Sequence, residues 1–178
     1  MPVDYKKLSE HSDWWPDTIK NQQKVPNYLA AWLLDKGSLT AALTQLSGGN
    51  FCVELKRQVI GKVYLHEEQK LSLQKNQQGL IREVELHIHN QAVVFARSII
   101  PIELTGDRLG SLENLGNKPL GHLLFKDGNI RVSKREFAEI KNDKKIIFAR
   151  RTPYDYEDQQ ILVSEFFLPE FEEYIKKG

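Results

Sequence analysis

Cysteine, a surplus of one charge and long apolar runs are all nearly missing from the sequence. One cysteine in 178 residues excludes a disulfide within the chain, so we expect a cytoplasmic protein. The 25 basic and 24 acidic residues nearly balance, which argues against nucleic acid as a partner. No run approaches the roughly 18 apolar residues that span a bilayer, and the first residues lack the apolar segment of a signal peptide. We therefore expect no insertion into a membrane.

The motifs of several enzyme classes are missing as well. The sequence has no glycine-rich phosphate loop, no serine nucleophile elbow and no zinc-ligand spacing. His87 and His89 fall on one face of a predicted strand, but no third ligand accompanies them. Glu83 and Glu85 share that face, so we expect exposed surface residues there and no metal site.

What the sequence does contain is the composition of a globular protein, with 40% hydrophobic and 28% charged residues. Its length fits one domain over residues 1–178, which begins with an irregular arm over 1–25. The tryptophans of that arm are expected to pack onto the body. Apolar spacing predicts a helix over 27–35 and a second one, capped by Ser38, that ends near Leu46.

Six further segments have the residue types or the alternation of β-strands. They are connected in hairpin-like succession, which predicts an α+β fold with a single antiparallel six-stranded sheet. The six segments are 51–63, 80–89, 92–100, 129–140, 145–151 and 159–168. Three segments complete the prediction: a polar connection or flap at 63–78, a loop and helix at 104–125, and a helical turn or two at 169–177.

Three charged side chains fall among residues that should be core. Glu165 alternates with apolar residues in the last strand, and Arg82 and Arg97 do so in the two strands of the central hairpin. A buried guanidinium stays charged and needs an anionic partner, which for Arg82 is either Glu165 or a bound carboxylate. Two interpretations remain open at this point: a structural ion pair whose arginines reach the sheet edge, or a ligand pocket.

A third feature is the start of the helix predicted after Pro119. Proline suits the first turn of a helix, so the amide of Leu120 and those after it would be free donors for an anion such as a carboxylate. From spacing alone, an ordinary helix start with apolar core contacts is the better explanation of this segment.

Together these segments resemble the chorismate pyruvate-lyase family. The resemblance rests on Gly-Asn-Lys-Pro-Leu-Gly-His-Leu-Leu-Phe at 116–125, Arg150-Arg151, and Leu-Val-Ser-Glu-Phe-Phe-Leu-Pro at 162–169. Ile-Arg-Glu at 81–83 and Phe-Ala-Arg-Ser-Ile-Ile-Pro at 95–101 match the central hairpin of the family. The matching segments run in the same order from about residue 32 to residue 169.

The resemblance implies an enzyme that converts chorismate into 4-hydroxybenzoate and pyruvate without a metal or organic cofactor, as the first committed step toward the ubiquinone ring. It implies a six-stranded sheet with a buried site under helical flaps. Arg82 and the backbone amides of Leu39 and Leu120 would hold the ligand carboxylate, and Glu165 would meet the ring hydroxyl. We add the hypothesis that Arg97 helps to bind the enolpyruvyl carboxylate. Substrate and product would be the partners of a monomer.

Two other functions stay open. The fold also resembles effector-binding domains of bacterial transcription regulators, which would use the same buried arginine to hold a small acid without catalysis. Such regulators carry a DNA-binding helical domain in front, whereas only about 25 residues precede the first predicted helix here. The other alternative is a related lyase that makes a different hydroxybenzoate isomer.

Overall fold

An antiparallel sheet organises the computed structural model, which describes residues 3–104, 115–124, 130–143, 145–156 and 158–176. Its strands are β1 (Trp15–Pro16), β2 (Phe51–Lys62), β3 (Gln78–Ile88), β4 (Gln91–Pro101), β5 (Arg131–Val132), β6 (Glu136–Asn142), β7 (Lys145–Tyr156) and β8 (Gln159–Phe167). Every pairing is antiparallel, which confirms the predicted α+β class. The described residues contain eight strands rather than six, because β1 is an additional strand of two residues and the strand predicted over 129–140 is divided into β5 and β6.

The strand order is β1-β6-β7-β8-β4-β3-β2, and β5 also pairs with β7. This order brings the hairpin β3–β4 against the hairpin β7–β8, although many residues separate them along the chain. β8 lies between β7 and β4, so the strand that carries Glu165 is central, as its apolar character on both faces predicted.

The helices within the described residues are α1 (Tyr5–Ser9), α2 (Ile19–Gln22), α3 (Asn27–Leu33), α4 (Leu39–Leu46), α5 (Leu65–Leu71), α6 (Leu120–Leu124) and α7 (Pro169–Ile175). The cap predicted at Ser38 is confirmed, since its hydroxyl accepts a hydrogen bond from the amide of Ala41 at 3.3 Å. Leu39 and Leu43, four residues apart, form the buried stripe of α4.

Two predictions about connecting segments are wrong. The polar stretch 63–78 contains helix α5, whose buried Leu71 packs against the sheet, so it is not only a connection. The arm over 1–25 is not irregular, because it forms α1, β1 and α2. Its tryptophans do pack onto the body as expected: Trp14 contacts Phe166 edge-on and Trp15 contacts Phe137.

Helices cover both faces of the sheet. On one face α3, α4 and α7 pack over β3, β4 and β8, with Leu33, Leu43 and Phe171 fully buried. On the other face α1 contributes Leu8 and α5 contributes Leu71. Because the faces are closed by different helices, each can hold its own set of polar groups.

Some predicted features lie outside the described residues. They include 105–114 of the predicted loop and helix, Phe125 and Asn129. Within the described ranges, no helix combines the length and the apolar character needed to cross a membrane.

Candidate active site

A cavity lies between the sheet and the helices α4 and α6. Its volume accessible to the centre of a water molecule is about 70 Å³, several times what one water needs. Its apolar lining is Leu39, Val53, Val84, Leu86, Ala96, Pro119, Leu120, Leu124 and Val163. Its polar and charged lining is Ser38, Thr40, Arg82, Ser98, Lys118, Arg150, Tyr154 and Glu165.

Strand pairing explains why these side chains meet. Arg82 on β3 pairs with Ser98 on β4, and Ala96, two residues before Ser98, pairs with Glu165 on β8. Glu165 in turn pairs with Arg150 on β7. Directly paired residues point to the same face of a sheet. One face of the four neighbouring strands β3, β4, β8 and β7 therefore carries a guanidinium from β3, another from β7 and a carboxylate from β8.

Arg82 is 2% exposed and donates hydrogen bonds only to uncharged oxygens among the residues that the structure describes. Its acceptors are Gln58 Oε1 at 2.8 Å and the carbonyl oxygens of Gly116 at 2.7 Å and Lys118 at 2.9 Å. Burial lowers the pKa of this guanidinium. Of the two partners considered for Arg82, Glu165 is therefore not the one that it contacts, and no carboxylate within the described residues compensates the charge that Arg82 brings to the cavity.

Glu165 has a different partner, which sequence reasoning missed. Its Oε2 accepts a hydrogen bond from Nε of Arg150 at 2.5 Å, and Arg150 is 2% exposed. Burial alone would lower the pKa of Arg150, but the charge and the hydrogen bond of Glu165 raise it. Arg150 and its neighbour Arg151 are both buried, at 2% and 6% exposed. The apolar run Ile146–Ala149 directly before them was the available sign that both are buried.

Leu39 and Leu120 both line the cavity, and each is the first residue of its helix. Amides in the first turn of a helix have no partner within the helix. The structure thus brings four of the predicted site residues to one cavity: Arg82, Leu39, Leu120 and Glu165.

Arg97 does not join them, which corrects the sequence prediction. It pairs with Glu83, so its side chain points to the opposite face of the sheet from Arg82. There it is 2% exposed and donates to both carboxylate oxygens of Glu67 at 2.7 and 3.0 Å and to Glu83 at 2.5 Å. The ring of Tyr64 lies 4.8 Å from the guanidinium carbon. Arg97 is a fully paired structural cation and lies outside the cavity lining.

Tyr154 is a further polar group in the cavity lining. Burial, followed by the negative charge of Glu165, raises the pKa of its phenol to about 12. Tyr154 therefore stays a neutral hydroxyl in the cavity at any ordinary pH.

His87 lies beside two carboxylates, and Glu85, which we expected on the exposed surface, is buried. Glu54, Glu85 and His87 bring ligand atoms within 4.8 Å of one another, whereas His89 lies in the β3–β4 turn with a positive φ of 47°. The ammonium of Lys56, however, contacts both carboxylates, at 3.1 Å from Glu54 and 3.5 Å from Glu85. The chain itself supplies the cation for this group, which lies outside the cavity lining.

Comparison with known proteins agrees with this arrangement. Residues 10–176 match the family described as chorismate lyase. A protein of Pseudomonas putida named "Probable chorismate pyruvate-lyase" is 38% identical over 145 residues, which cover 78% of this chain and 80% of that protein. A protein of the same name from Methylococcus capsulatus is 31% identical over 154 residues, which cover 79% of this chain and 94% of that one.

Solved structures share the fold at much lower identity. PhnF from Mycobacterium smegmatis has a TM-score of 0.59 at 13% identity, covering 77% of this chain and 66% of that chain. A GntR-family transcriptional regulator from Bacillus cereus has a TM-score of 0.52 at 10% identity, covering 68% of this chain and 93% of that chain. These likenesses concern the fold alone. The family match covers nearly the whole chain, and the chain therefore belongs to the chorismate lyase family.

Proposed function

We propose that the protein eliminates pyruvate from chorismate and releases 4-hydroxybenzoate. The observation that carries the proposal is Arg82, a buried cation with no carboxylate partner among the described residues, in the same cavity as Glu165. Burying a charge is costly unless a counter-ion compensates it. A carboxylate ligand would supply that counter-ion, and the relatives named as chorismate pyruvate-lyases point to the acid concerned.

The chemistry of the elimination fits these groups. The hydrogen at C4 of chorismate leaves as a proton, the C3–O bond breaks, and the ring becomes aromatic. The departing enolpyruvyl group takes up a proton on its methylene carbon and becomes pyruvate. Atoms and charges balance without water, an oxidant or a reductant, so the stoichiometry requires no cofactor. The task left to the protein is to hold the substrate in a reactive geometry.

Each residue then has a defined role. Arg82 and the first amides of α4 and α6, at Leu39 and Leu120, bind the ring carboxylate. Glu165 orients the 4-hydroxyl group and can accept a proton as general base. Arg97 has no role at the enolpyruvyl carboxylate, because its side chain lies on the other face of the sheet.

The proposal also covers the setting of the reaction. We expect a cytoplasmic monomer whose product enters the ubiquinone ring. Restoration of ubiquinone in a bacterial strain that lacks its own lyase would test this placement.

The first experiment is to incubate the purified protein with chorismate in EDTA and to separate the products by chromatography. Equal amounts of 4-hydroxybenzoate and pyruvate, well above a control without protein, are expected. A different hydroxybenzoate isomer would retain the lyase but overturn the assigned product.

The second candidate is a sensor that binds an aromatic acid without turnover. What favours it is the shared fold with PhnF and the GntR-family regulator. Tight binding of 4-hydroxybenzoate by a folded protein that leaves chorismate intact would establish this alternative.

A further inference from the structure

We propose that Arg150 is the positioning residue of this site: it holds the carboxylate of Glu165 at the cavity by an ion pair, and it holds the α3–α4 turn beside it. The inference rests on the proposed lyase function and deepens it. It assigns to Arg150 a role that acts on the reaction through Glu165 and through the backbone of the turn.

The guanidinium of Arg150 contacts two separate parts of the structure. Nε of Arg150 donates to Glu165 at 2.5 Å, while Nη1 donates to the carbonyl oxygens of Trp32 at 2.7 Å and Asp35 at 2.9 Å. The planar, rigid fork of an arginine can make these contacts in different directions at once, which the single ammonium of a lysine cannot do. Arg150 thus connects a carboxylate on β8 to the end of α3.

Arg150 is also the counter-ion of the buried Glu165 carboxylate. Glu165 is only 8% exposed, and a carboxylate buried without a counter-ion tends to take up a proton. The other charged or titratable groups that act on it or share its cavity are Arg135, Tyr154, Arg82 and Lys118. Of the groups for which the structure gives a contact to Glu165, Arg150 is the cation within hydrogen-bonding distance. Removal of Arg150 should therefore leave Glu165 without its counter-ion and without the contact that orients it toward the hydroxyl group of the substrate.

Arg150 also holds the turn between α3 and α4. Residues 35–38 lead from α3 to α4, and Gly37, Ser38, Leu39 and Thr40 all line the cavity. Arg135 also donates to the carbonyl oxygens of Leu33 and Asp35, so two guanidinium groups hold this turn. Arg150 differs from Arg135 in that it bonds Glu165 as well. One side chain therefore fixes the distance between the carboxylate and the wall that carries the Leu39 amide.

The test compares Arg150→Gln, Arg150→Lys and the matched control Arg151→Gln by kcat and KM with chorismate. Arg151 is the next residue on β7, is 6% exposed, and points to the opposite face, where it binds Glu136 at 2.5 Å. Arg150→Gln removes the counter-ion and the orienting contact of Glu165, so kcat should fall about 100-fold, as for loss of a general base, with a smaller change in KM. Arg151→Gln should keep a kcat close to that of the wild type.

The lysine variant separates charge from geometry. Arg150→Lys restores the charge without the planar fork, so its kcat should recover part of this loss and stay about tenfold below that of the wild type. The dissociation constant of 4-hydroxybenzoate should rise much less than in a variant that lacks Arg82, because Arg82 remains and only the hold on the Leu39 amide is weakened. Amide hydrogen exchange of residues 35–40 should become faster.

Three outcomes would overturn the inference. One is a wild-type kcat in folded Arg150→Gln, and another is an equal loss of kcat in Arg151→Gln. If Arg150→Gln does not fold, an Arg150→Lys variant with the kcat and the exchange rates of the wild type would overturn the inference. These results differ from failure of the proposed function, which would show as wild-type protein that binds 4-hydroxybenzoate but does not consume chorismate.

Discussion

Replacing the two buried arginines of the central hairpin should have opposite effects: loss of Arg82 should weaken ligand binding, and loss of Arg97 should lower stability. The comparison tests the proposed site. Arg82→Met removes the cation that we assign to the ligand carboxylate. A hydrogen bond to a charged group contributes about 1.5–3 kcal/mol, so the loss of a two-bond carboxylate contact should cost roughly 3–6 kcal/mol of binding. At 1.4 kcal/mol per factor of ten, this weakens binding of 4-hydroxybenzoate about 100- to 10,000-fold.

The effect of Arg82→Met on stability combines opposed contributions. The three oxygens that lose their donor, on Gln58, Gly116 and Lys118, each cost up to about 1–3 kcal/mol if they remain dry. Part of this loss is offset, because the folded state no longer buries a charge without a counter-ion. Water that enters the space of the deleted side chain can satisfy the carbonyl groups as well.

Arg97→Met is the matched control on the neighbouring strand. It strands Glu67, which is 1% exposed, and Glu83 on the other face, and breaking one side of a buried ion pair costs about 3–5 kcal/mol of stability. Its affinity for 4-hydroxybenzoate should stay near that of the wild type. Titration calorimetry and urea unfolding measure both quantities. Wild-type affinity in folded Arg82→Met, or a large affinity loss in folded Arg97→Met, would refute the assignment of the faces.

Three more changes probe the same structure. Glu165→Gln should lower turnover of chorismate at least about 100-fold, with a much smaller effect on product binding, because general bases contribute roughly 10²–10⁴; near-normal turnover would exclude the base role. Ser38→Ala should cost about 1 kcal/mol in urea unfolding through loss of the α4 cap, and an unchanged midpoint would contradict that role. Burial, chiefly, lowers the pKa of His66, whose Nδ1 accepts from Arg151 and whose Nε2 donates to the Ser9 carbonyl. Since the unfolded chain binds this proton near pH 6.5 and the folded chain does so only at lower pH, stability should fall below about pH 6.5 by at most about 1.4 kcal/mol per pH unit. His66→Gln, which keeps one donor and one acceptor, should remove that contribution, and an identical acid slope in this variant would argue against it.

The sequence was sufficient to predict the six long strands, because their residue types and alternation depend on neighbours along the chain. It was also sufficient to place Glu165 in a central strand. It could not predict α5, since its helix within 63–78 is polar and its two buried acids, Glu67 and Glu68, gain partners only in the folded protein. Residues that are satisfied by distant groups leave no periodic pattern.

The misplacement of Arg97 has a more specific cause. Near the turn, His87 pairs with Ala92, and the same register continued five residues further would pair Arg82 with Arg97. A bulge between Leu86 and His87 shifts the register by one residue, so Arg82 pairs with Ser98 instead. One residue of slip exchanges the faces of every later side chain. Alternation within each strand was interpreted correctly, but the bulge decides which faces coincide.

Charge links this correction to the proposed substrate. Among the described residues that line the cavity, three are cationic, Arg82, Lys118 and Arg150, and one is a carboxylate, Glu165. The lining thus carries a formal net charge of +2. Chorismate carries two carboxylates, whereas an aromatic monoacid carries one. With Arg97 neutralised on the opposite face by Glu67 and Glu83, the remaining charges complement a dianion, and this balance favours the lyase over a sensor of a monoacid.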